Sequence, residues 1–216
     1  MLLGSATLIS AQEDDDYRME IGGGLGLVGY LGDFNGNITK EIKPMFTFVL
    51  RRNLDHYMAL KCAVSYGKLQ GSSAGTGTYY MGYADHKYTF DNSLVDANLI
   101  YEYNFWPYGT GNDYRGAKRF TPFLSGGIGM TYCDGSNNVF TANIPLGVAL
   151  KYKIGERLNA GFEWAVHFSL SDKLDGVKDP YGINSSGLFK NTDCYSSFLF
   201  TITYSFMPKC TTCNKE

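Results

Sequence analysis

Residues 198–206, FLFTITYSF, alternate between two kinds of side chain. Successive side chains of a β-strand point to opposite faces, so Phe198, Phe200, Ile202, Tyr204 and Phe206 share one face. The other face carries leucine, threonine and serine. A soluble sheet rarely places so many aromatic side chains on one face unless another layer covers it. The segment therefore predicts a strand whose apolar face meets lipid or a second layer.

Seven further segments repeat this alternation, each with an apolar face and a face that is polar, charged or rich in glycine. They start near residues 21, 46, 60, 95, 120, 144 and 158. Alternating segments of ~9–11 residues are typical of strands that cross an outer membrane, with lipid outside and a polar lumen inside. We predict an all-β fold, an eight-stranded antiparallel transmembrane β-barrel with a polar lumen filled by side chains.

Composition narrows the classes of function. The 216 residues carry a net charge of -2, which gives no electrostatic case for a nucleic-acid partner. No apolar run approaches the ~18 residues that indicate a membrane helix. The alternative fold is a soluble sandwich or lipocalin-like barrel. Such a fold would turn its apolar faces inward and would normally expose more charge than the 19% of charged residues found here.

A G-x-G-x-x-G pattern at Gly24, Gly26 and Gly29 raises the question of a dinucleotide site. That site requires a strand before the glycines and a helix after them, so that the helix N-terminus meets the pyrophosphate. Residues 30–44 have no helical period and read as a loop. Gly22, Gly24 and Gly26 instead share one strand face, where their small size would leave room for long neighbours such as Arg51, Lys61 and Lys151. We predict no cofactor.

The inward faces carry several ionisable side chains. We predict that they form a network satisfied inside the barrel, and that the lumen is a plug rather than a conduit because eight strands enclose room only for side chains. The predicted members are Glu20, Arg51, Lys61, Glu102, Lys151, Lys153, Glu163 and His167.

The connections suggest domain limits and an orientation. Residues 1–11 resemble the end of a signal peptide, residues 12–18 form a short periplasmic segment, residues 19–206 form the barrel, and residues 207–216 form a periplasmic tail. Short turns around Asn53 and Gly155 face the periplasm in such barrels, and long loops face outward. The long polar segments are 30–43, 71–90 and 170–193. Aromatic residues near both strand ends would form the interfacial girdles.

One connection on the predicted periplasmic side, residues 106–119, is long. It is either a plain flexible insertion or a loop that binds a partner. The candidate contact residues in it are Trp106, Tyr108, Tyr114 and Arg115.

An enzymatic function must also be considered, because some small barrels act on lipid A. His167 and Ser169 form H-x-S, with Glu163 on the same face, and these residue types can build a nucleophilic triad. The pattern faintly resembles the deacylase barrels, but Leu170 stands where their motif has asparagine. The three side chains also point into the lumen, away from acyl chains. We favour a structural network and predict no catalytic residue and no metal site, since His56 and His86 lack ligand partners at metal spacing.

The five cysteines permit several pairings. Cys210 and Cys213 form C-x-x-C in the tail, which is a local disulfide, a pair of thiols, or a link to another chain. Cys62 is predicted to face lipid. Cys133 and Cys194 lie near the same rim and could pair. An odd count leaves at least one thiol unpaired within the chain or bonded to another chain.

With the strands placed, the chain resembles the PorG-like outer-membrane barrels of the type IX secretion system of Bacteroidetes-type bacteria. The resemblance rests on Tyr30-Leu31-Gly32-Asp33, on Phe120-Thr121-Pro122, on the block at residues 144–177, and on the cysteine-containing tail. Ala165 and His167 depart from the family pattern, which tends to glycine and arginine there. Both departures fall in the lumen and bear on packing.

The resemblance implies a non-enzymatic component of the secretion machine in the outer membrane. Its implied partners are an outer-membrane lipoprotein and the associated periplasmic ring protein, besides the lipids of the outer membrane. We expect the periplasmic side to carry this contact, with a tail cysteine, Cys210 or Cys213, in an intermolecular disulfide. The alternatives are a surface adhesin or OmpX-type membrane-stability barrel, whose function would lie in the long loops, and a lipid A hydrolase that uses Ser169.

Overall fold

The computed structural model describes residues 17–31, 42–72, 89–109, 118–134, 138–170 and 194–208. These residues form eight strands, each antiparallel to its neighbours in the chain, and the last strand pairs with the first to close a barrel. The predicted fold is confirmed. The strands are β1 Tyr17–Leu31, β2 Lys43–Asn53, β3 Met58–Ser72, β4 Thr89–Asn104, β5 Phe120–Asp134, β6 Val139–Lys153, β7 Leu158–Ser169 and β8 Cys194–Pro208. The described ranges contain no helix long and apolar enough to cross a membrane.

The two faces of the wall follow the alternation of the sequence. Outward side chains are apolar and open: Phe140 is 69% exposed, Ile128 is 67% exposed and Leu25 is 63% exposed. Inward side chains are mostly polar and buried. This distribution is the reverse of a soluble barrel, and it fits a wall with hydrocarbon on its outer side.

Strand β1 closes the barrel against β8 over a long ladder, from Tyr17 opposite Pro208 to Leu31 opposite Cys194. This ladder continues beyond the predicted barrel limits of residues 19 and 206. Tyr17 is thus part of the barrel rim, and Pro208 is the last strand residue.

The G-x-G-x-x-G pattern lies inside β1, so its glycines sit in a continuous strand and not in a phosphate-binding turn. A Cβ on the inward-facing Gly24 would lie 2.7 Å from Cγ2 of Thr201 and 2.9 Å from Cγ2 of Thr47. Glycine here allows close approach between β1 and its neighbours. The close neighbours are these threonines and the β8 backbone, not the long cations that the sequence suggested.

The two ends of the barrel differ in their connections. Both chain ends of the barrel, the turns β2–β3 and β6–β7, and the β4–β5 connection meet at one end, here called the termini end. The β2–β3 turn is fixed by Asp55, whose Oδ1 accepts hydrogen bonds from the backbone N–H groups of Tyr57 and Met58, both at 2.7 Å. The opposite end, here called the far end, carries the connections through residues 32–41, 73–88, 135–137 and 171–193, which lie outside the described residues.

The sequence left open whether Cys133 and Cys194 pair, and in the structure no disulfide joins them. Cys133 points inward and is 1% exposed. Cys194 precedes the inward-facing Tyr195, so its side chain lies on the opposite, outer face of β8. Their strands, β5 and β8, are also not neighbours in the barrel. Cys62 is exposed on the outer face, as predicted.

Candidate functional site

The lumen toward the termini end is built around one carboxylate, Glu102, which is fully buried. Three cations surround it. Arg51 Nε lies 2.9 Å from Oε2, Lys151 Nζ lies 2.5 Å from Oε2, and Lys61 Nζ lies 3.2 Å from Oε1. The residues come from β2, β3, β4 and β6, so the contacts cross the lumen and tie opposite walls together.

Two further carboxylates complete this network. Glu20 accepts a hydrogen bond from Arg51 Nη1 at 2.5 Å and from the hydroxyl of Thr203 at 2.9 Å. Glu163 contacts Lys61 Nζ at 2.5 Å and accepts from the hydroxyl of Ser125 at 3.0 Å. We call Glu20, Arg51, Lys61, Glu102, Lys151 and Glu163 the ionic network.

Charge is balanced within the described lumen. Four carboxylates are buried there, Glu20, Asp96, Glu102 and Glu163, and so are four basic side chains, Arg51, Lys61, Lys151 and Lys153. A buried charge loses its hydration, and only pairing and hydrogen bonding can compensate this loss. The arrangement therefore fixes the positions of these side chains and leaves the middle of the barrel filled.

The far half of the lumen is organised around Asp96, which is also fully buried. Its carboxylate accepts hydrogen bonds from Asn98 Nδ2 at 2.5 Å, Asn143 Nδ2 at 2.8 Å and the hydroxyl of Thr131 at 3.2 Å. His167 Nδ1 lies 3.5 Å from the same carboxylate. We call these five residues the Asp96 cluster, which is mostly neutral.

An apolar layer lies beside the Asp96 cluster inside the barrel. Its members are Val28, Met45, Leu69, Leu94, Cys133 and Tyr195. Tyr195 joins the two, because its ring stacks on His167 at 4.4 Å between centroids and its hydroxyl lies 3.2 Å from that of Thr131. A packed apolar layer of this kind blocks the passage of water and ions.

Tyr108 covers the other end of the lumen. Its hydroxyl donates to Asn159 Oδ1 at 2.9 Å, and Lys151 Nζ lies 5.8 Å from its ring centroid. Burial raises the pKa of Tyr108, so the hydroxyl keeps the proton that it donates. A cavity of about 260 Å³ opens at the termini end and reaches inward to Glu20 and Tyr108. The lumen beyond this cavity is filled by the ionic network.

The structure accounts for the predicted site residues in three groups. All eight residues of the predicted lumen network lie inside the barrel and are buried. Of the predicted loop contacts, Trp106 is 39% exposed and packs on Phe120, whereas Tyr108 turns inward. Tyr114, Arg115, Cys210 and Cys213 lie outside the described residues.

The H-x-S pattern does not assemble a triad. His167 Nε2 lies 3.2 Å from the hydroxyl of Ser197 and faces Asp96 on its other side. Ser169 instead donates to the hydroxyl of Thr141, and Glu163 is engaged by Lys61. Ser197 is fully buried, so the Asp96–His167–Ser197 arrangement has no room for a substrate.

Sequence reasoning left Asp96, Asn98, Thr131 and Asn143 out of the lumen network. Their inward phase on β4, β5 and β6 follows from the alternation. Asn98, Thr131 and Asn143 are neutral and give no charge signal, whereas Asp96 is an acidic residue on the same face as Glu102 and could have been included. Among the described residues, no group of three or more histidine, cysteine or acidic side chains is placed to hold a metal ion.

Comparison with known proteins places the chain in a family. A family model described as "Domain of unknown function (DUF6089)" matches residues 2–215. The chain belongs to this family. No curated protein matches it.

Two solved structures share the architecture. Neisserial surface protein A is 12% identical, with a TM-score of 0.50, over 87% of this chain and 97% of that one. The outer membrane protein OprG from Pseudomonas aeruginosa is 11% identical, with a TM-score of 0.53, over 90% of this chain and 98% of that one. At these identities the likeness shows the fold, which is the closed eight-stranded barrel of outer-membrane proteins.

Proposed function

We propose that this chain is a non-enzymatic outer-membrane component of the type IX protein secretion machinery. In this role it anchors or organises the periplasmic lipoprotein ring. The observation that carries the proposal is the filled lumen, in which the ionic network, the Asp96 cluster and the apolar layer leave no conduit through the described barrel. A barrel that passes nothing through its centre acts through its surfaces.

The termini end is the surface that we assign to the periplasm. Two of its connections are tight turns, and short turns face the periplasm in outer-membrane barrels. Strand β8 ends at Pro208 at the same end, and residues 209–216, with Cys210 and Cys213, follow it in the sequence. Trp106 lies there too, with Lys118 Nζ 4.6 Å from its ring centroid, so the β4–β5 connection and the tail form one candidate contact surface.

The resemblance to the PorG-like barrels supplies the identity of the partners. We infer that an outer-membrane lipoprotein and its periplasmic ring partner bind this surface. Cys210 or Cys213 would then form an intermolecular disulfide with the lipoprotein in the oxidising periplasm.

A non-reducing gel of native outer membranes tests this proposal, comparing wild type with Cys210→Ser and Cys213→Ser. We expect a high-mass band that collapses on reduction and disappears in one variant, and mass spectrometry of that band should identify a lipoprotein. Cys62→Ser is the matched control, because Cys62 faces outward from the barrel wall. A monomer in every lane would refute the disulfide.

A complementation assay separates the proposal from the adhesin alternative. In a strain that lacks this protein, a variant without residues 209–216 should fail to restore type IX secretion, while variants with shortened loops at 73–88 or 171–193 should restore it. The opposite pattern would favour an adhesin or membrane-stability barrel. A change in lipid A mass caused by Ser169→Ala would instead favour the hydrolase.

A further inference from the structure

The turn between β6 and β7 places an arginine on the outer wall at the termini end. Arg157 is exposed, and its backbone C=O accepts from the N–H of Ser205, which anchors the turn to β8. Its guanidinium donates from Nε to the hydroxyl of Tyr17 at 2.8 Å and from Nη1 to the hydroxyl of Tyr204 at 3.1 Å. The guanidinium carbon also lies 5.3 Å from the ring centroid of Tyr17.

This arrangement leaves hydrogen-bond donors unused. A guanidinium has five N–H groups, and two of them serve the tyrosines. Each tyrosine hydroxyl accepts from Arg157 and so keeps its own O–H to donate. Within the described barrel no carboxylate forms an ion pair with Arg157. One positive charge and several donors thus converge on the same point, which is the chemistry that recognises a phosphate group.

The wall beside Arg157 is apolar. Tyr204 is flanked in the ladder by Leu158 on β7 and Ile21 on β1, which are 40% and 39% exposed. Ile202, one step further along the same face of β8, is 46% exposed. A molecule that places a phosphate at Arg157 would therefore lay whatever is attached to it along this apolar surface.

We propose that Arg157, Tyr17 and Tyr204 form a binding site for the phosphate headgroup of a membrane phospholipid, whose acyl chain lies along Tyr204 and Ile202. The guanidinium binds the phosphate oxygens, and the two hydroxyls, already held by Arg157, donate to them. The site is partly preorganised, because both tyrosines belong to the β1–β8 closure. Inorganic phosphate offers the same headgroup chemistry, but the apolar wall below the site favours the lipid.

The experiment is native mass spectrometry of the full protein in detergent, titrated with dioleoyl phosphatidylglycerol. We expect Arg157→Gln to weaken binding of the lipid about tenfold, the size of losing a charge-assisted hydrogen bond. Tyr17→Phe and Tyr204→Phe, which keep the rings and remove one hydroxyl each, should each weaken it by a few fold. The matched control is Arg52→Gln, since Arg52 is an exposed arginine at the same end and no described tyrosine hydroxyl contacts it.

Further measurements distinguish a lipid phosphate from free phosphate and check that each variant is folded. Dioleoylglycerol, which has the same acyl chains without phosphate, should bind no better to wild type than to Arg157→Gln. Equal binding of phosphatidylglycerol to wild type and Arg157→Gln, or an equal loss in Arg52→Gln, would overturn the site. If Arg157→Gln weakened the binding of inorganic phosphate but left the binding of phosphatidylglycerol unchanged, the lipid assignment would be overturned. Heat-modifiable mobility on a gel verifies that each variant is folded.

Discussion

The two halves of the lumen both bury a carboxylate inside the barrel, but they compensate its lost hydration in different ways. Toward the termini end, the ionic network encloses Glu102 with three cations. Toward the far end, Asp96 is surrounded by amides and hydroxyls, and an apolar layer lies beside it. Both halves fill the barrel. The difference is that the first depends on pairing between opposite charges across the lumen, whereas the second depends on hydrogen bonds from neutral donors to one carboxylate and on apolar packing.

This contrast predicts unequal sensitivity to substitution. Removing one member of a buried charge network leaves the others uncompensated, which costs more than losing a neutral hydrogen bond. Truncating a side chain of the apolar layer should lower the free energy of unfolding by an intermediate amount, because that loss depends on the size of the cavity that remains. The following variants test this order by urea unfolding from lipid vesicles.

Glu102→Gln should have the largest effect. It keeps the shape of the side chain but leaves Arg51, Lys61 and Lys151 without their shared carboxylate, so we expect the free energy of unfolding to fall by about 3–5 kcal/mol. Glu156→Gln, in the exposed β6–β7 turn, removes the same charge as a control and should change stability by less than about 0.5 kcal/mol. Similar losses in both variants would show that net charge, not the network, matters.

Leu94→Ala tests the apolar layer. Leu94 is fully buried in the lumen, and its truncation should lower the free energy of unfolding by about 3 kcal/mol through lost contacts and a cavity. The control is Leu99→Ala on the same strand, where the side chain is 47% exposed on the outer wall and lipid can fill the space. If Leu99→Ala lowered the free energy of unfolding more than Leu94→Ala, the apolar layer would not be the stabilising element that we assign it to be.

Asp96→Asn tests the Asp96 cluster. The amide keeps one acceptor oxygen but puts an NH2 donor in place of the second, facing side chains that already donate, so we expect a loss of about 2 kcal/mol. Asp91→Asn, exposed on the same strand, is its control. A loss as large as that of Glu102→Gln would contradict the distinction between the two halves.

Tyr108→Phe should have the smallest effect. It removes one hydrogen bond, to Asn159, and we expect a loss of about 1 kcal/mol. Planar-bilayer recording of the same variant should show no steady conductance, because the ionic network still fills the lumen behind Tyr108. Tyr103→Phe, on the outer wall, serves as the reference. A steady current through Tyr108→Phe would mean that Tyr108 alone closes the barrel.

Much of this architecture was predictable, and the errors have physical causes. The period of two along each strand assigned the inward side of Glu20, Lys61 and Lys151 without any structure. The same rule places Cys194 on the outer face and Cys133 on the inner face, which argues against a disulfide between them. Lying near the same rim of the barrel is not enough, because it does not decide which face a side chain occupies. The inward turn of Tyr108 had no comparable signal, because an irregular connection has no period.

By itself, the sequence determined that the chain forms a barrel of eight strands with an apolar outer wall and a polar interior. Alternation is a local property, and each strand carries it independently. Only the closed barrel decided which charges meet. Lys61 and Glu163 are 102 residues apart, and they touch because ring closure and strand register bring β3 and β7 to opposite sides of one narrow lumen. Arg157 likewise meets Tyr17, 140 residues earlier, only because β1 closes against β8.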